Sequence, residues 1–199
     1  SHINAQKLNI VLGRPTQTSI TLSLLFDQNV DFYVEYGTQK GNYTLKSNSS
    51  SCLANIPLEF DLTTLEKNAT YYYRIQYKQT SQTKFIASPE YQFKTAIDPG
   101  TGFTFTVEAD EHLYDKKGVD NLYKICLANQ LEDNPDFMIS LGDTFGDDHN
   151  PTTITSTELK NLHYTYRPFL GNICHSVPFY FCMGNHEGEN NYYLICIAM

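Results

Sequence analysis

The sequence predicts an all-β sandwich through about residue 97, followed by a layered α/β domain. Three observations carry that expectation. Apolar residues alternate with polar ones through the first half of the chain. A Pro- and Gly-bearing stretch, Ile97-Asp98-Pro99-Gly100-Thr101-Gly102, then interrupts the pattern. Beyond it, short apolar runs alternate with segments of helical period. A period of two puts one face of a strand on a core, and a period near 3.6 does the same for a helix.

In the first half, Ile20, Leu22, Leu24 and Phe26 alternate with Thr21, Ser23 and Leu25. Phe32, Val34 and Tyr36 alternate with Tyr33 and Glu35, and Tyr71, Tyr73, Ile75 and Tyr77 with Tyr72, Arg74 and Gln76. Turn-rich stretches over 37–43, 47–51 and 67–70 separate these runs. Several short strands at such spacing predict two packed sheets. After the linker, 103–107 reads as a strand. Residues 120–131 read as a helix, with Leu122, Ile125, Cys126 and Leu131 on one side. Residues 137–141 read as a buried strand, 156–166 as a second helix led by Ser156 as N-cap, and 178–183 as a third strand. This succession predicts right-handed crossovers and one layered sheet. The domains are then expected at 1–97 and 101–199.

Composition narrows the function. A chain of 199 residues holds one large domain or two small ones. The net charge of -8 argues against nucleic acid as a partner, because phosphate backbones attract basic surfaces. No apolar run approaches the roughly 18–20 residues that span a bilayer. A small phosphate ester fits an acidic protein if metal cations reverse the sign locally. The chain opens Ser1-His2-Ile3, without initiator Met or an apolar signal core, as a processed form or a fragment would. Cysteines at 52, 126, 174, 182 and 196 form no C-x-x-C pattern, and their odd number leaves at least one thiol without an internal partner. Asn42, Asn48 and Asn68 begin N-x-S/T tripeptides, which weigh slightly toward secretion.

Three strings carry the chemistry, each at the end of an apolar run. They are Val107-Glu108-Ala109-Asp110-Glu111-His112, Leu141-Gly142-Asp143-Thr144-Phe145-Gly146-Asp147-Asp148 and Met183-Gly184-Asn185-His186-Glu187. In open α/β sheets, sites gather beyond the C-terminal ends of the strands, so three such ends are expected to converge. Asp110 offers a carboxylate oxygen and His112 an imidazole nitrogen. Asp143 can bridge two cations, and the Asn185 amide oxygen can meet the second. Mixed oxygen and nitrogen donors suit Mn, Fe or Zn. Two ions about 3.5–4 Å apart can hold phosphate oxygens and acidify water. Gly-Asp or Asp-x-His alone marks little more than a turn; Gly-Asn-His-Glu after Val-Pro-Phe-Tyr-Phe is far more specific. Glu187 reads as a solvated or supporting carboxylate, and Asp147 and Asp148 as loop carboxylates. His149, His163 and His175 read as surface or packing residues.

In that order, the three strings resemble the leading half of a calcineurin-like metallophosphoesterase. In the first half, Val34-Glu35-Tyr36-Gly37-Thr38 followed by Gly41-Asn42-Tyr43 is similar to the N-terminal domain of purple-acid-phosphatase-like enzymes. Leu65-Glu66-Lys67-Asn68-Ala69-Thr70-Tyr71-Tyr72-Tyr73-Arg74 resembles the corner before a late strand of fibronectin type III domains, without the usual Pro and Gly near Lys67 and Asn68. The resemblance implies a fibronectin III-like sandwich followed by a partial metallophosphoesterase domain. It implies hydrolysis of a phosphate ester, a monoester as in acid phosphatases, through a dinuclear centre of divalent or trivalent ions (Fe, Mn or Zn). Asp110, His112, Asp143 and Asn185 would be the ligands. His186 would stabilise charge or protonate the leaving group as the catalytic residue. It also implies export, to the extracellular space, periplasm or cell surface. Purple enzymes carry a Tyr three residues after the bridging Asp, where this chain has Gly146, and their first motif usually lacks a His such as His112. Both departures point to a colourless divalent centre. Relatives continue to a further His and a Gly-His-x-His motif; neither follows Glu187, so the centre is expected to be incomplete in this chain. Two rival readings are an exported binding module with an inert α/β segment, and a phosphodiesterase or nucleotidase on the same scaffold.

Overall fold

The computed structural model describes residues 7–114, 117–144 and 155–188. The expectations placed on Gly146, Asp147, Asp148, His149 and Cys196 lie outside those residues. The chain divides into two compact units, the first ending at Gly102 and the second beginning at Phe103.

The first unit is built from β1 (Leu8–Gly13), β2 (Ile20–Phe26), β3 (Val30–Gly37), β4 (Leu45–Lys46), β5 (Ser50–Cys52), β6 (Leu58–Leu62), β7 (Thr70–Gln79), β8 (Ile86–Ala87) and β9 (Tyr91–Lys94). One antiparallel sheet runs β1-β2-β6. The other runs β4-β3-β7-β8, with β5 also on β3 and β9 also on β7. Each predicted alternation becomes a face. Ile20, Leu22, Leu24 and Phe26 are all buried, as are Phe32, Val34 and Tyr36 and the odd-numbered positions 71–77. The inner faces of the two sheets therefore form a single core. Its aromatic residues pack edge-on, tilted or stacked: Phe32 meets Phe60 edge-on at 5.2 Å, Phe26 meets Tyr77 tilted at 5.3 Å, and Tyr71 stacks on Phe93 at 5.4 Å between ring centroids. Residues 47–51 are not turn throughout: from Ser50 the chain is strand β5, pairing Phe32, Asp31 and Val30. Ser50 and Ser51 are weak strand formers, and only the edge of β3 gives them pairing partners.

The corner ahead of β7 behaves as its resemblance implies. The Tyr71 hydroxyl accepts the Glu66 backbone N–H at 2.8 Å, a tyrosine bonding back to main chain a few residues upstream. Asn68 takes the left-handed conformation (φ 54°), which asparagine tolerates better than most residues.

The second unit contains β10 (Phe105–Glu108), α1 (Asp120–Glu132), β11 (Phe137–Ser140), α2 (Ser156–Leu170), β12 (Phe179–Phe181) and a four-residue turn of helix, α3 (Asn185–Gly188). The three strands lie side by side, all parallel, in the order β10-β11-β12. α1 departs from its predicted side. Tyr123 and Leu127 are the buried residues, while Leu122 is 59% and Ile125 54% exposed. The Tyr123 hydroxyl donates to Glu108 Oε1 at 2.7 Å and its ring meets Phe169 at 5.7 Å. A polar tether and an aromatic partner outweigh the bare hydrophobicity of Leu122 and Ile125. β10 alternates in turn: Glu108 meets α1, whereas Phe105 and Val107 face away and are exposed. On that outer face Phe105 stacks on Phe137 at 5.4 Å.

The N-cap of α2 lies one residue before the predicted one. Thr155, not Ser156, is the N-cap: its Oγ1 accepts Glu158 N–H at 3.2 Å, and Glu158 Oε2 accepts Thr155 N–H at 2.7 Å. This reciprocal pair satisfies two otherwise unbonded donors. The helix also outruns its expected end at 166, passing Pro168 to Leu170. Proline removes one hydrogen bond, and the burial of Leu170 and Tyr166 offsets it. Thr155→Ala is expected to weaken α2 by about 1 kcal/mol, or about fivefold faster amide exchange along its first two turns. Unchanged exchange would show that the box contributes nothing.

Candidate metal centre

Register brings the three strings together. Glu108 lies opposite Ser140, and Ser140 opposite Phe181, so the three parallel strands end on one line. Asp110 follows its strand by two residues, Asp143 by three and Asn185 by four. Main-chain bonds then join the loops. Asp110 N–H donates to Gly142 O at 3.3 Å, Leu141 N–H to Glu108 O at 2.8 Å, and Cys182 N–H to Ser140 O at 2.8 Å.

The backbone at this edge is held in unusual conformations. Asp110 (φ 57°), His112 (φ 50°) and Asp143 (φ 56°) are all left-handed, as is Gly142 (φ 92°). A non-glycine residue pays for such a conformation, and in folded proteins it persists where the surroundings over-determine it, commonly at functional sites. Two glycines allow the second and third loops to touch. A Cβ on Gly142 would collide with the Gly184 nitrogen, and a Cβ on Gly184 with Asp143 Oδ1.

Asp143 is half-buried. Its Oδ1 accepts the His186 N–H at 2.9 Å, and no hydrogen bond reaches its Oδ2 among the described residues. Gly184 has no side chain to cap the α3 turn, so Asp143 serves in its place from a distant loop. Asp110 is exposed at the tip of the first loop, with His112 Nε2 at 3.8 Å from its Oδ1. Asn185 is exposed on the third loop. His186 follows it and is half-buried. Among the described residues, no three His, Cys, Asp or Glu side chains stand together as a group able to hold an ion. The convergence among the described residues is thus one of loops and main chain, with the donors Asp110 and His112 adjacent and Asp143 and Asn185 on touching loops.

Beneath the loops lies a carboxylate layer, of which only Glu187 is assigned from sequence, as a solvated or supporting group. Glu187 is 0% exposed. Glu111, half-buried, accepts the Thr144 hydroxyl at 3.2 Å. Burial, aided by the nearby negative charges of Glu108 and Glu187, pushes the Glu111 carboxyl up to about 7. Glu108 is raised as well, chiefly by burial, against the bonds it receives from Tyr123 and Gln130. His163 is buried and held neutral, with burial lowering it to about 4, and burial also lowers His175, whose Nδ1 lies 2.7 Å from Ser176 Oγ. Both agree with the surface-or-packing expectation, His163 on the packing side. The signal for Glu187 was present in the sequence: a Glu three residues after the residue preceding a helical turn can reach back to that residue's N–H.

Residues 103–196 match the family model described as calcineurin-like phosphoesterase. Among solved structures, the purple acid phosphatase PPD1 from yellow lupin (Lupinus luteus) seeds aligns with a TM-score of 0.64 at 17% identity, over 93% of this chain and 36% of that one. A structure of PhoD aligns with a TM-score of 0.59 at 19% identity, over 92% of this chain and 39% of that one. At these identities the likeness is one of fold. It agrees with a fibronectin III-like sandwich followed by a layered α/β domain. The chain spans less than two-fifths of either structure's length. No curated protein matches the chain in sequence. Among the described residues, no helix is long and apolar enough to cross a membrane.

Proposed function

We infer that this protein is a metal-dependent phosphoesterase that hydrolyses a small phosphate ester, a monoester in the first instance, and that it works outside the cytoplasm. The observation that carries this reading is the common register line from which Asp110, Asp143 and Asn185 leave three parallel strands, within the phosphoesterase segment. The donors fit a dinuclear centre. Asp110 and His112 are adjacent oxygen and nitrogen donors. Asp143 has one oxygen tied to His186 N–H and the other without a protein bond among the described residues, which suits a bridging carboxylate. Asn185 adds a neutral oxygen from the loop that touches it. This set suits Mn, Zn or Fe. Such a pair of ions supplies Lewis-acid charge to a phosphoryl group and acidifies water.

The protein's own groups do the rest. His186, fixed by its backbone bond to Asp143, is the group proposed to stabilise charge or deliver a proton to the leaving oxygen. The left-handed backbone at Asp110, His112 and Asp143 holds donors in place before any ion arrives. Export is supported by the three N-x-S/T tripeptides, whose Asn42, Asn48 and Asn68 are all exposed.

The test is phosphate release from an aryl phosphate with Mn²⁺ or Zn²⁺. Release is expected to depend on the metal and to fall by at least about tenfold in Asp143→Ala. Release that is indifferent to metal, or unchanged in Asp143→Ala, would refute the reading and favour an inert α/β segment.

A further inference from the structure

We propose that Glu187 is a positioning residue that sets the spacing between the loop bearing Asp143 and the loop bearing Asn185 and His186. The inference rests on the reading of Asp143 and Asn185 as metal ligands. It adds the group that makes their geometry reproducible.

The Glu187 carboxylate receives three main-chain N–H groups. Oε2 accepts Asp143 N–H at 2.7 Å and Gly184 N–H at 2.8 Å, and Oε1 accepts Thr144 N–H at 2.6 Å. Two of those donors belong to the second loop and one to the third. One carboxylate therefore ties the two loops directly. The tie is reciprocal, because Asp143 Oδ1 accepts His186 N–H at 2.9 Å in the other direction. Each loop gives a carboxylate to the main chain of the other.

This arrangement explains three features at once. Gly142 and Gly184 are required because the loops sit too close for a Cβ on either. Asp143 can stay at φ 56° because its N–H and its side chain are both held from the third loop. Glu187 is wholly buried although it is charged and next to the site, because it faces inward to the main chain rather than outward to a ligand. Charge-assisted bonds to a buried carboxylate are strong and directional, and side chains that orient ligands commonly alter metal affinity about 10–100-fold when removed.

Glutamine tests this without changing shape. In Glu187→Gln one oxygen becomes an NH₂ group, which can only oppose a backbone N–H donor. Glu187→Asp keeps the charge but is one methylene too short to reach all three donors. The full chain is titrated with Co²⁺, following affinity and the visible spectrum that reports its coordination. Amide exchange at Asp143, Thr144 and Gly184 is read without metal. Both variants are expected to keep the far-ultraviolet circular dichroism of the wild type. They should exchange those three amides at least about tenfold faster, bind Co²⁺ at least about tenfold more weakly, and alter its spectrum. Wild-type affinity and spectrum in both variants, with binding lost in Asp143→Ala, would overturn the positioning role and leave the ligand reading intact. A wild-type chain that gives no bound-Co²⁺ spectrum, or binds it equally in Asp143→Ala, overturns the ligand reading and this inference with it. Loss of secondary structure in both variants also overturns it, since Glu187 would then hold the fold rather than the spacing.

Discussion

Gly142→Ala is expected to lower divalent-metal affinity by about 100-fold while leaving the β-sandwich unit unchanged. Two costs combine at this position. The backbone lies at φ 92°, where an L side chain is strained by roughly 1–2 kcal/mol. The new Cβ would also collide with Gly184 N and lie 2.6 Å from Cys182 O and 2.8 Å from Glu187 Oε2. Overpacking of this kind typically costs about 1–3 kcal/mol. Two of the three obstacles are main chain on the neighbouring loop, so relief requires the loops to part. Parting them breaks the Glu187 tie and moves Asp143 away from Asn185. The combined cost of about 2–5 kcal/mol brackets a hundredfold loss. Titration with Mn²⁺ or Co²⁺ reads it directly. Gly41→Ala is the control: Gly41 is also left-handed (φ 73°) but has open space around it in the other unit, so its metal affinity should match wild type. Equal affinities in Gly142→Ala and wild type would mean that loop contact does not govern the centre.

Phe32→Ala is expected to destabilise the sandwich unit by about 3–5 kcal/mol. Phe32 is 0% exposed on β3, the strand that pairs with β4, β5 and β7. Its ring meets Phe26 at 6.2 Å and Phe60 at 5.2 Å, bridging the inner faces of both sheets. Partners on both sides leave little room for collapse into the cavity, which is the condition for the larger cost. A loss of this size is a large share of the roughly 5–15 kcal/mol that stabilises a typical domain. Urea unfolding followed by circular dichroism measures it. Phe103→Ala, at a ring 57% exposed, should change the midpoint little. A loss below about 1 kcal/mol for Phe32→Ala would place the core elsewhere.

The elements that the sequence displayed best were those whose pattern coincides with burial. In β2, β3 and β7 each alternating apolar residue is a core residue, because a strand between two sheets has one inner face and a period of two. α1 was legible as a helix but not in its orientation. Leu122 and Ile125 are as apolar as Leu127, and the choice between faces was made by Tyr123 reaching Glu108 on β10. No pattern within the helix contains that partner. The cap of α2 was misplaced by one residue because Thr155 and Ser156 are both good caps; the reach of Glu158 back to Thr155 chose between them.

The site divides in the same way. Its strings, their order and their place at strand ends were legible in sequence, since donor chemistry and local period are properties of neighbouring residues. Tertiary structure alone decided which groups lie on the surface of the site and which beneath it. Glu187 adjoins His186 in sequence, yet it turns inward to bind Asp143 and Thr144, about forty residues earlier in the chain. Glu111 sits between Asp110 and His112, yet it is half-buried with its carboxyl raised to about 7. The physical reason is that a carboxylate's role depends on which donors and charges surround it, and here those come from other strands. Residue type and period alone establish that a β-sandwich precedes a parallel α/β sheet whose strand ends carry oxygen and nitrogen donors. Only the parallel register, the contact of Gly142 with Gly184 and the burial of Glu187 decided how those ends meet.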